Sequence, residues 1–326
     1  MRSFVILVLG LLKRLAVRLF PPGWRHQVEA HHWEAVDLEN ARQVSWDSIE
    51  CLGRMAVHEM TGGRWEQTMD VIIASMALPD PDHLRGLTLG CGDMACEHWF
   101  FVHPRLPFEL VDAYDISRGM IDRARDLTDS LGLNVQYHVA DVNYLELPPE
   151  TYDLVVVAHS MHHFKRIDHI VEQIDRSLKP GGLLVAWEYV GPRHQRFSRR
   201  QRRHANMVLR ALPPRYRRER DGHTRNRVQS QSLLFMSPDE AIRSDQILPA
   251  LERMDILYQY NWAGLLFPLL RGDIAANFDQ DDPEDRKVID CLFQLDRLLC
   301  QSGQVEPSFS ITIAAKSLDG PAGVSG

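Results

Sequence analysis

The sequence predicts an α/β fold with a doubly wound, mostly parallel sheet, and three observations support this prediction. Short apolar runs alternate with helical stretches between residues 81 and 191, as they do in parallel βαβ units. A continuous apolar run such as LVVVA at 154–158 is typical of a strand that is buried on both faces. A glycine-rich turn, Gly90-Cys91-Gly92, follows the first apolar run.

The apolar runs and the helical periodicity predict the elements of this sheet in order. Five strands are predicted first, at Gly86–Leu89, Phe108–Tyr114, Val135–Val139, Leu154–Ala158 and Leu183–Trp187. Helices at Arg118–Leu131 and Ile167–Leu178 lie between them, and the second helix stops at a Lys-Pro-Gly-Gly turn that leads into a strand. Two later strands, Ile256–Tyr260 and Ser308–Ala314, flank a helix at Asp285–Cys300.

Composition shifts divide the chain into five predicted parts. These are an N-terminal helical extension or cap (1–80), the sheet core (81–191), an arginine-rich helical insertion or lid (192–250), C-terminal helices and strands that complete the core (251–316), and a flexible tail (317–326). Within the first part, apolar spacing predicts helices at Val44–Ala56 and Trp65–Met76.

The apolar segment Phe4–Leu12 is too short for a membrane span, which needs roughly 20 residues. It lacks the flanking pattern of a signal peptide. Two interpretations remain: an amphipathic helix that packs on the protein, or one that rests on the inner, anionic membrane surface. Five scattered cysteines without a zinc-type spacing are consistent with a cytoplasmic protein, and the net charge of -7 argues against a nucleic-acid partner.

Three groups at the ends of successive predicted strands point to one ligand site. The turn Gly90–Gly92 lets backbone amides approach a ligand closely. Asp115 ends the next strand, where a carboxylate can accept both hydroxyls of a ribose. Asp141 ends the third strand, within reach of an adenine amino group. Because the carboxyl ends of parallel strands share one edge, these groups are expected to line one cleft.

The order of four segments resembles class I S-adenosylmethionine-dependent methyltransferases of type 11 or type 25. The segments are GLTLGCG, AYDIS, VADVNYLELPPETYDLVVVAHSMHHF and SLKPGGLLVAWEYVGPR, within residues 85–190. The later segments MSPDEAIRSDQILPALE and WAGLLFPLLRGDIAANF look like a bacterial subgroup that is often linked to surface-glycan or secondary-metabolite pathways. The resemblance implies a Rossmann-like fold and S-adenosylmethionine as the cofactor.

The resemblance also implies roles for individual residues. The methionine portion of the cofactor would be surrounded by Gly90, Cys91 and Gly92, with Asp93 beside them. The ribose would be held by Asp115, and the adenine would be contacted by Ile116, Asp141 and Val142, with Asp141 at its edge and Val142 at its face. Beside the methionine portion and the substrate would lie His159 and Ser160. Two residues depart from the family pattern. Thr88 replaces the usual acid before the turn, and Met94 replaces the usual third glycine.

Candidate catalytic groups follow the fourth and fifth strands. His163 and His162 are suited to remove a proton from an acceptor hydroxyl near neutral pH. The alternative is an imidazole that hydrogen-bonds to the backbone or packs in the core. Glu188 and Tyr189 would orient the acceptor or form structural hydrogen bonds. No metal site is expected from the histidines, because no matching carboxylate cluster is apparent.

Thirteen arginines lie between residues 193 and 227, with few acids among them. They are interpreted as a solvated helical face, or as a lid that recognises phosphate or carboxylate on an anionic substrate. A membrane surface or RNA is a further alternative, although aromatic residues that could stack on bases are few.

The sequence therefore predicts an enzyme that methylates a small molecule or a glycan, most readily at oxygen, by in-line displacement. Two other functions stay open. One is an RNA or protein methyltransferase, and the other is a non-catalytic cofactor-binding or scaffold protein on the same fold. The sequence defines neither the acceptor nor an oligomeric state.

Overall fold

The structure is a computed structural model, and it describes residues 29–34, 49–61, 83–102, 106–228 and 239–316. Several predicted features lie outside these residues, namely the apolar segment Phe4–Leu12, the helix at Trp65–Met76 and the tail 317–326. No helix within the described residues is long and apolar enough to cross a membrane.

A seven-stranded sheet lies at the centre of the fold. Its strands are β1 (Leu84–Leu89), β2 (Phe108–Asp115), β3 (Val135–Val139), β4 (Tyr152–Ala158), β5 (Leu178–Tyr189), β6 (Asp255–Trp262) and β7 (Phe309–Ala315). They are arranged in the order β3-β2-β1-β4-β5-β7-β6, in which β1 to β5 run parallel and β7 runs antiparallel to both of its neighbours. The predicted doubly wound, mostly parallel sheet is confirmed.

The strand order changes direction between β1 and β4, which pair side by side through Gly86–Thr88 and Leu154–Val156. In an open parallel sheet, a ligand binds beyond the carboxyl ends of the strands at such a switch point. All seven residues of β4 are buried, as its uninterrupted apolar sequence predicts. A ligand site is therefore expected beside the residues that follow β1 and β4.

The Lys-Pro-Gly-Gly segment differs from its prediction. The helix ends at Ser177, and β5 begins at once with Leu178, so the segment belongs to the strand. Leu178 pairs with Tyr152 ahead of a register irregularity, where the extra residues form a bulge. Gly182 is needed there because a Cβ atom would lie 2.9 Å from the carbonyl oxygen of Tyr152.

Helices cover both faces of the sheet and extend the chain beyond it. They are α1 (Glu50–Thr61), α2 (His98–Phe101), α3 (Arg118–Leu131), α4 (Ile167–Ser177), α5 (Arg199–Ala211), α6 (Ile247–Leu251), α7 (Leu266–Leu270) and α8 (Pro283–Gln301). The ends of α3 agree with the prediction because both are capped: the Ser117 hydroxyl accepts from the Met120 amide, and Gly132 adopts a left-handed φ of 68°.

The apolar core forms three clusters. One contains residues of α4 and α6 with β4, and a second contains residues of α2 and α3 with β1 and β2. The third joins α1, α5, α7 and α8, with Ala205 and Leu209 of α5 fully buried. The arginine-rich segment is therefore packed against the C-terminal part of the chain through α5, and the division of the chain into a lid and a core stays a prediction.

A short helical segment, 29–34, approaches the carboxyl edge of the sheet. The Arg123 side chain donates a hydrogen bond to the carbonyl oxygen of Glu34 at 3.3 Å. The Trp33 ring lies edge-on to the His163 ring, with 5.3 Å between centroids. The N-terminal part of the chain thus contributes to the surroundings of the histidines after β4.

Candidate active site

The glycine turn after β1 is held against the neighbouring strands. The amides of Gly90 and Cys91 donate to the carbonyl oxygen of Tyr114 at 2.7 and 3.0 Å. Gly90 and Gly92 have φ values of 69° and 51°, in the left-handed region that favours glycine. A Cβ atom on Gly90 would lie 2.6 Å from the Cβ of Ser160, so any side chain at this position would collide with the residue after β4.

Asp115, at the end of β2, is tied to this turn. One carboxylate oxygen accepts from the Gly92 amide at 2.9 Å, and the other accepts from the Ser117 amide at 2.7 Å. Burial raises the pKa of the Asp115 carboxyl even though these amides favour its charged form. Each oxygen of a carboxylate can accept a second hydrogen bond. Asp115 can therefore bind the hydroxyls of a ribose without losing its backbone partners.

The predicted adenine residues lie beside Asp115. The Ala140 amide donates to the carbonyl oxygen of Asp115 at 2.9 Å, which fixes the start of the loop after β3. Asp141 follows, and its carboxylate accepts from the backbone amide and the side-chain amide of Asn143 at 2.9 and 2.7 Å. Val142 is buried and Ile116 is partly exposed.

Cys91 and Asp93, which the sequence predicts, and Glu97, which it does not, lie in an acidic environment after β1. The Cys91 side chain is buried, and Asp93 is partly exposed and accepts from the Ala95 amide at 3.2 Å. Glu97, which the sequence analysis missed, is also buried. Burial raises the pKa of Glu97 well above its ordinary value, and the neighbouring Asp93 and Asp115 add to the increase.

Ser160, after β4, closes the site from the other side of the switch point. Its hydroxyl donates to the carbonyl oxygen of Leu89 at 2.7 Å, and its Cβ faces Gly90. His159 adopts a left-handed φ of 55°, and its ring contacts the rings of Trp187 and Phe309. Ser160 thus lies directly beside the glycine turn, while the His159 ring is packed among aromatic side chains; their predicted place beside the methionine portion of the cofactor stays a prediction.

Glu188 organises the loop that carries the histidines. One of its carboxylate oxygens accepts from the Ser160 and Met161 amides at 2.8 and 2.7 Å. The other lies 2.9 Å from Nδ1 of His162. Glu188 is only 1% exposed, and burial raises the pKa of its carboxyl to about 7. These contacts assign Glu188 a positioning role, because all three bonds fix the backbone or ring of the residues after β4.

The two histidines have different surroundings. Burial lowers the pKa of His162 well below its ordinary value, with a further decrease from the neighbouring His163, so its imidazole is neutral near pH 7. His163 lies between two carboxylates: Nδ1 is 3.6 Å from an oxygen of Glu29, and Nε2 is 3.7 Å from an oxygen of Glu240. The ring centroids of the two histidines are 4.2 Å apart.

Tyr189 does not reach an acceptor position. Its hydroxyl donates to the carbonyl oxygen of Pro192 at 3.0 Å, and its ring packs against Phe267 and Phe309. The side chain is 2% exposed, and burial raises the pKa of its hydroxyl well above the ordinary value. Of the two predicted roles for Tyr189, the structural hydrogen bond is therefore the one that the geometry supports.

Three residues near the histidines were missed by the sequence analysis. Glu240 lies in the segment after α5, Gln195 lies in the loop after β5, and Glu29 lies in the N-terminal helical segment. The side-chain amide of Gln195 donates to Glu240 at 2.6 Å. No local pattern marks these residues, because long-range packing brings them to the histidines.

The two departures from the family pattern are accommodated inside the protein. Thr88 is fully buried in β1, and its hydroxyl has no hydrogen-bond partner among the described residues. Met94 has a left-handed φ of 62°, and its fully buried side chain belongs to the cluster that contains Leu84 and Phe100. The Met94 side chain is therefore part of the core.

Eight of the thirteen arginines fall into two sets. Arginines 193, 215, 220 and 225 form ion pairs with Asp245, Asp285, Asp273 and Glu219, respectively. The second set lies along α5, where a cavity of about 490 Å³ is lined by Arg199, Arg202, Arg203, Asn206, Met207 and Arg210. Of the four paired arginines only Arg225 is buried, and the second set forms a basic surface.

Comparison with known proteins gives matches that include several methyltransferases. Residues 87–186 match the family described as Methyltransferase domain. The ubiquinone/menaquinone biosynthesis C-methyltransferase UbiE of Pseudoalteromonas translucida is 26% identical over 165 residues, which cover 50% of this chain and 62% of that protein. The demethylmenaquinone methyltransferase of Thermus thermophilus is 30% identical over 112 residues, which cover 34% and 49%. The match thus spans less than two thirds of either relative.

Solved structures with similarity to the chain include two methyltransferases. An S-adenosylmethionine-dependent methyltransferase from Mesorhizobium loti is 18% identical, with a TM-score of 0.41 and coverage of 75% of this chain and 95% of that one. Phosphoethanolamine N-methyltransferase 2 of Haemonchus contortus, solved with S-adenosyl-L-methionine, is 19% identical, with a TM-score of 0.42 and coverage of 79% and 54%.

Proposed function

We propose that this chain, in which residues 87–186 form a class I methyltransferase domain, transfers a methyl group from S-adenosylmethionine to a hydroxyl oxygen of a small-molecule acceptor. The family match confirms the methyltransferase class that the sequence predicts, and S-adenosylmethionine is the methyl donor of that class in this proposal. The observation that carries the proposal is the linkage of four strand ends. The Gly92 amide after β1 donates a hydrogen bond to the Asp115 carboxylate at the end of β2, and the Ala140 amide after β3 donates one to the Asp115 carbonyl oxygen. The Ser160 hydroxyl after β4 donates one to the carbonyl oxygen of Leu89 at the end of β1.

In this proposal the linked strand ends hold the cofactor. The left-handed glycines Gly90 and Gly92 keep the turn free of side chains, so that the methionine portion can lie against the backbone. Asp115 accepts the ribose hydroxyls, and Asp141 lies at the adenine edge. Glu97 is a buried acid near the turn, and although burial raises its pKa, the cofactor's ammonium group would favour its charged form, so that Glu97 can take the place of the acid that Thr88 replaces.

The acceptor is placed beside the histidines after β4. Because His162 and His163 come two and three residues after Ser160, this proposal places them next to the transferable methyl group. The sulfonium already activates the methyl group, so the protein must align the acceptor and assist loss of its proton. Nδ1 of His162 is held by Glu188, which leaves Nε2 as the ring nitrogen that can face the acceptor. Tyr189 is a packing residue in this proposal.

A ring carbon next to a hydroxyl is the second candidate for the methylated atom. The observation that favours it is the similarity to UbiE, a C-methyltransferase of ubiquinone and menaquinone biosynthesis. Removal of the hydroxyl proton from a hydroxylated aromatic ring makes both its oxygen and the neighbouring carbon nucleophilic. The same cluster of residues would therefore serve either reaction, and the acceptor's position would decide between them.

Product analysis with S-adenosylmethionine carrying a ¹³C-labelled methyl group tests the proposal. Catechols, reduced naphthoquinones and nucleotide sugars serve as acceptors, and the ¹³C chemical shift distinguishes a methoxy group from a methyl group on carbon. We expect a methoxy product, and Glu188→Gln should form it at least tenfold more slowly, while the exposed control Glu172→Gln should match wild type. A C-methyl product would establish the second candidate. Wild-type protein that binds S-adenosylmethionine but methylates none of these acceptors would contradict the small-molecule proposal.

A further inference from the structure

We infer that His162, His163 and Glu240 bind one divalent transition-metal ion, of the kind represented by Zn²⁺, beside the acceptor position. One possible ligand atom from each residue lies within 4.8 Å of the other two. The Nε2 atom of His163 and a carboxylate oxygen of Glu240 are 3.7 Å apart. Ligand bonds of about 2.0–2.2 Å place neighbouring atoms of a tetrahedral site roughly 3.3–3.6 Å apart. Small side-chain rotations would therefore close the site around an ion.

His162 has the outer partner that metal-binding histidines use, and His163 has a carboxylate nearby. A ligating imidazole commonly presents its other ring nitrogen to a carboxylate, which fixes the ring and its tautomer. Nδ1 of His162 lies 2.9 Å from Glu188, and Nδ1 of His163 lies 3.6 Å from Glu29. The hydrogen bond to Glu188 leaves Nε2 of His162 for an ion, and Nε2 of His163 is the nitrogen that faces Glu240, while its Nδ1 makes no hydrogen bond within the described residues.

The third ligand is oriented in the same way. One oxygen of Glu240 accepts from the Gln195 side-chain amide at 2.6 Å, and the other faces His163. Three residues around this contact adopt left-handed φ values although none is glycine: His194 (51°), Gln195 (55°) and Ala241 (49°). Such conformations are unfavourable and concentrate at ligand sites, where the surrounding structure enforces them. The backbone is therefore constrained where it positions Glu240 and its partner.

The donor set selects the type of ion. Two imidazole nitrogens and one carboxylate oxygen suit Zn²⁺, Co²⁺ or Fe²⁺, whereas Mg²⁺ requires oxygen ligands in an octahedral arrangement. Three protein ligands leave a fourth position for water or for an acceptor oxygen. An ion in this place would bind that oxygen and favour loss of its proton, which is the task that the proposed function otherwise gives to a free imidazole.

Metal binding itself is independent of the proposed function, whereas the contact with an acceptor oxygen rests on it. The sequence analysis expected no metal because the motif after β4 supplies histidines without a carboxylate. Glu240 supplies that carboxylate from a different part of the chain, and the fold alone brings it to the histidines.

Isothermal titration of tag-free, chelator-treated full-length protein with ZnCl₂ tests the inference, and Co²⁺ absorption in the visible range reports the ligand geometry. We expect one Zn²⁺ per chain with a dissociation constant in the micromolar range or below, and no binding of Mg²⁺ at millimolar concentration. His163→Gln and Glu240→Gln should each weaken Zn²⁺ binding at least tenfold. His204→Gln on α5 and Glu172→Gln on α4 are the matched controls and should leave it unchanged.

Two results would overturn the inference: no stoichiometric Zn²⁺ binding by wild type, or binding of equal affinity in His163→Gln and Glu240→Gln proteins whose thermal unfolding matches wild type. Titration with S-adenosylmethionine in parallel separates the two proposals. Protein that binds Zn²⁺ but not S-adenosylmethionine would contradict the proposed function while supporting the metal site.

Discussion

Replacement of Gly90 by alanine tests the contact between the ends of β1 and β4. Gly90 has a φ of 69°, and an alanine in the left-handed region costs about 1–2 kcal/mol. The new Cβ atom would also lie 2.6 Å from the Cβ of Ser160. Relieving this overlap should add about 1–3 kcal/mol. We therefore expect Gly90→Ala to lower the free energy of unfolding by roughly 2–5 kcal/mol.

Gly132 provides a control that separates the two contributions. Its φ of 68° nearly equals that of Gly90, but a Cβ atom there would have no neighbour within 4 Å. Gly132→Ala should therefore show only the conformational penalty, about 1–2 kcal/mol. Ser160→Gly in the Gly90→Ala background should recover part of the stability, because it removes the atom that collides with the new side chain.

Urea unfolding measures the stability, and calorimetric titration measures the affinity for S-adenosylmethionine. We expect Gly90→Ala to weaken cofactor binding at least tenfold, about 1.4 kcal/mol, and Gly132→Ala to leave it within a factor of two or so. Equal losses of stability in the two variants, together with unchanged cofactor affinity in Gly90→Ala, would refute the described contact and the role of the turn.

Three further predictions concern buried carboxylates. The Asp296 carboxylate accepts hydrogen bonds from three backbone amides around the start of α7. Asp296→Ala should therefore lower the free energy of unfolding by about 2–5 kcal/mol in urea titrations, and a loss below about 1 kcal/mol would contradict this. Burial raises the pKa of Asp296 to about 6, above the unfolded value of about 3.9, so the folded state holds this proton more tightly. This contribution to stability is present below about pH 4 and is lost as the pH rises through about 6. The free energy of unfolding, measured across that pH range, should therefore decline less steeply with pH in Asp296→Asn than in wild type. Parallel curves for the two proteins would argue against this role of Asp296. Glu97→Gln should weaken S-adenosylmethionine binding about tenfold in calorimetry, and unchanged affinity would remove Glu97 from the cofactor site.

The parts of the site that follow from local sequence were predictable. Asp115 ends one apolar strand and the turn Gly90–Gly92 directly follows another, and parallel strands bring their carboxyl ends to one edge. The limits of α3 were also predictable, because Ser117 and Gly132 are strong local signals for the start and end of a helix. In each case, residues within a few positions determine the structure.

The parts that depend on distant contacts were not predictable. Glu240 and Glu29 reach His163 only through tertiary packing, and nothing in their own surroundings in the sequence marks them. The hydroxyl of Tyr189 bonds to a carbonyl oxygen in the turn that follows, which the strand pattern does not reveal. The arginines present the same difficulty, because their spacing does not show which of them meet a carboxylate in the folded chain.

The central claim is that Asp115 and the glycine turn form one binding site for S-adenosylmethionine. Equilibrium binding of the cofactor to wild type, Asp115→Asn and the exposed control Asp126→Asn tests it most directly. We expect wild type and Asp126→Asn to bind with equal affinity and Asp115→Asn to bind at least tenfold more weakly, since its amide group cannot accept both ribose hydroxyls. No binding by wild type, or the same affinity in all three proteins, would contradict the claim.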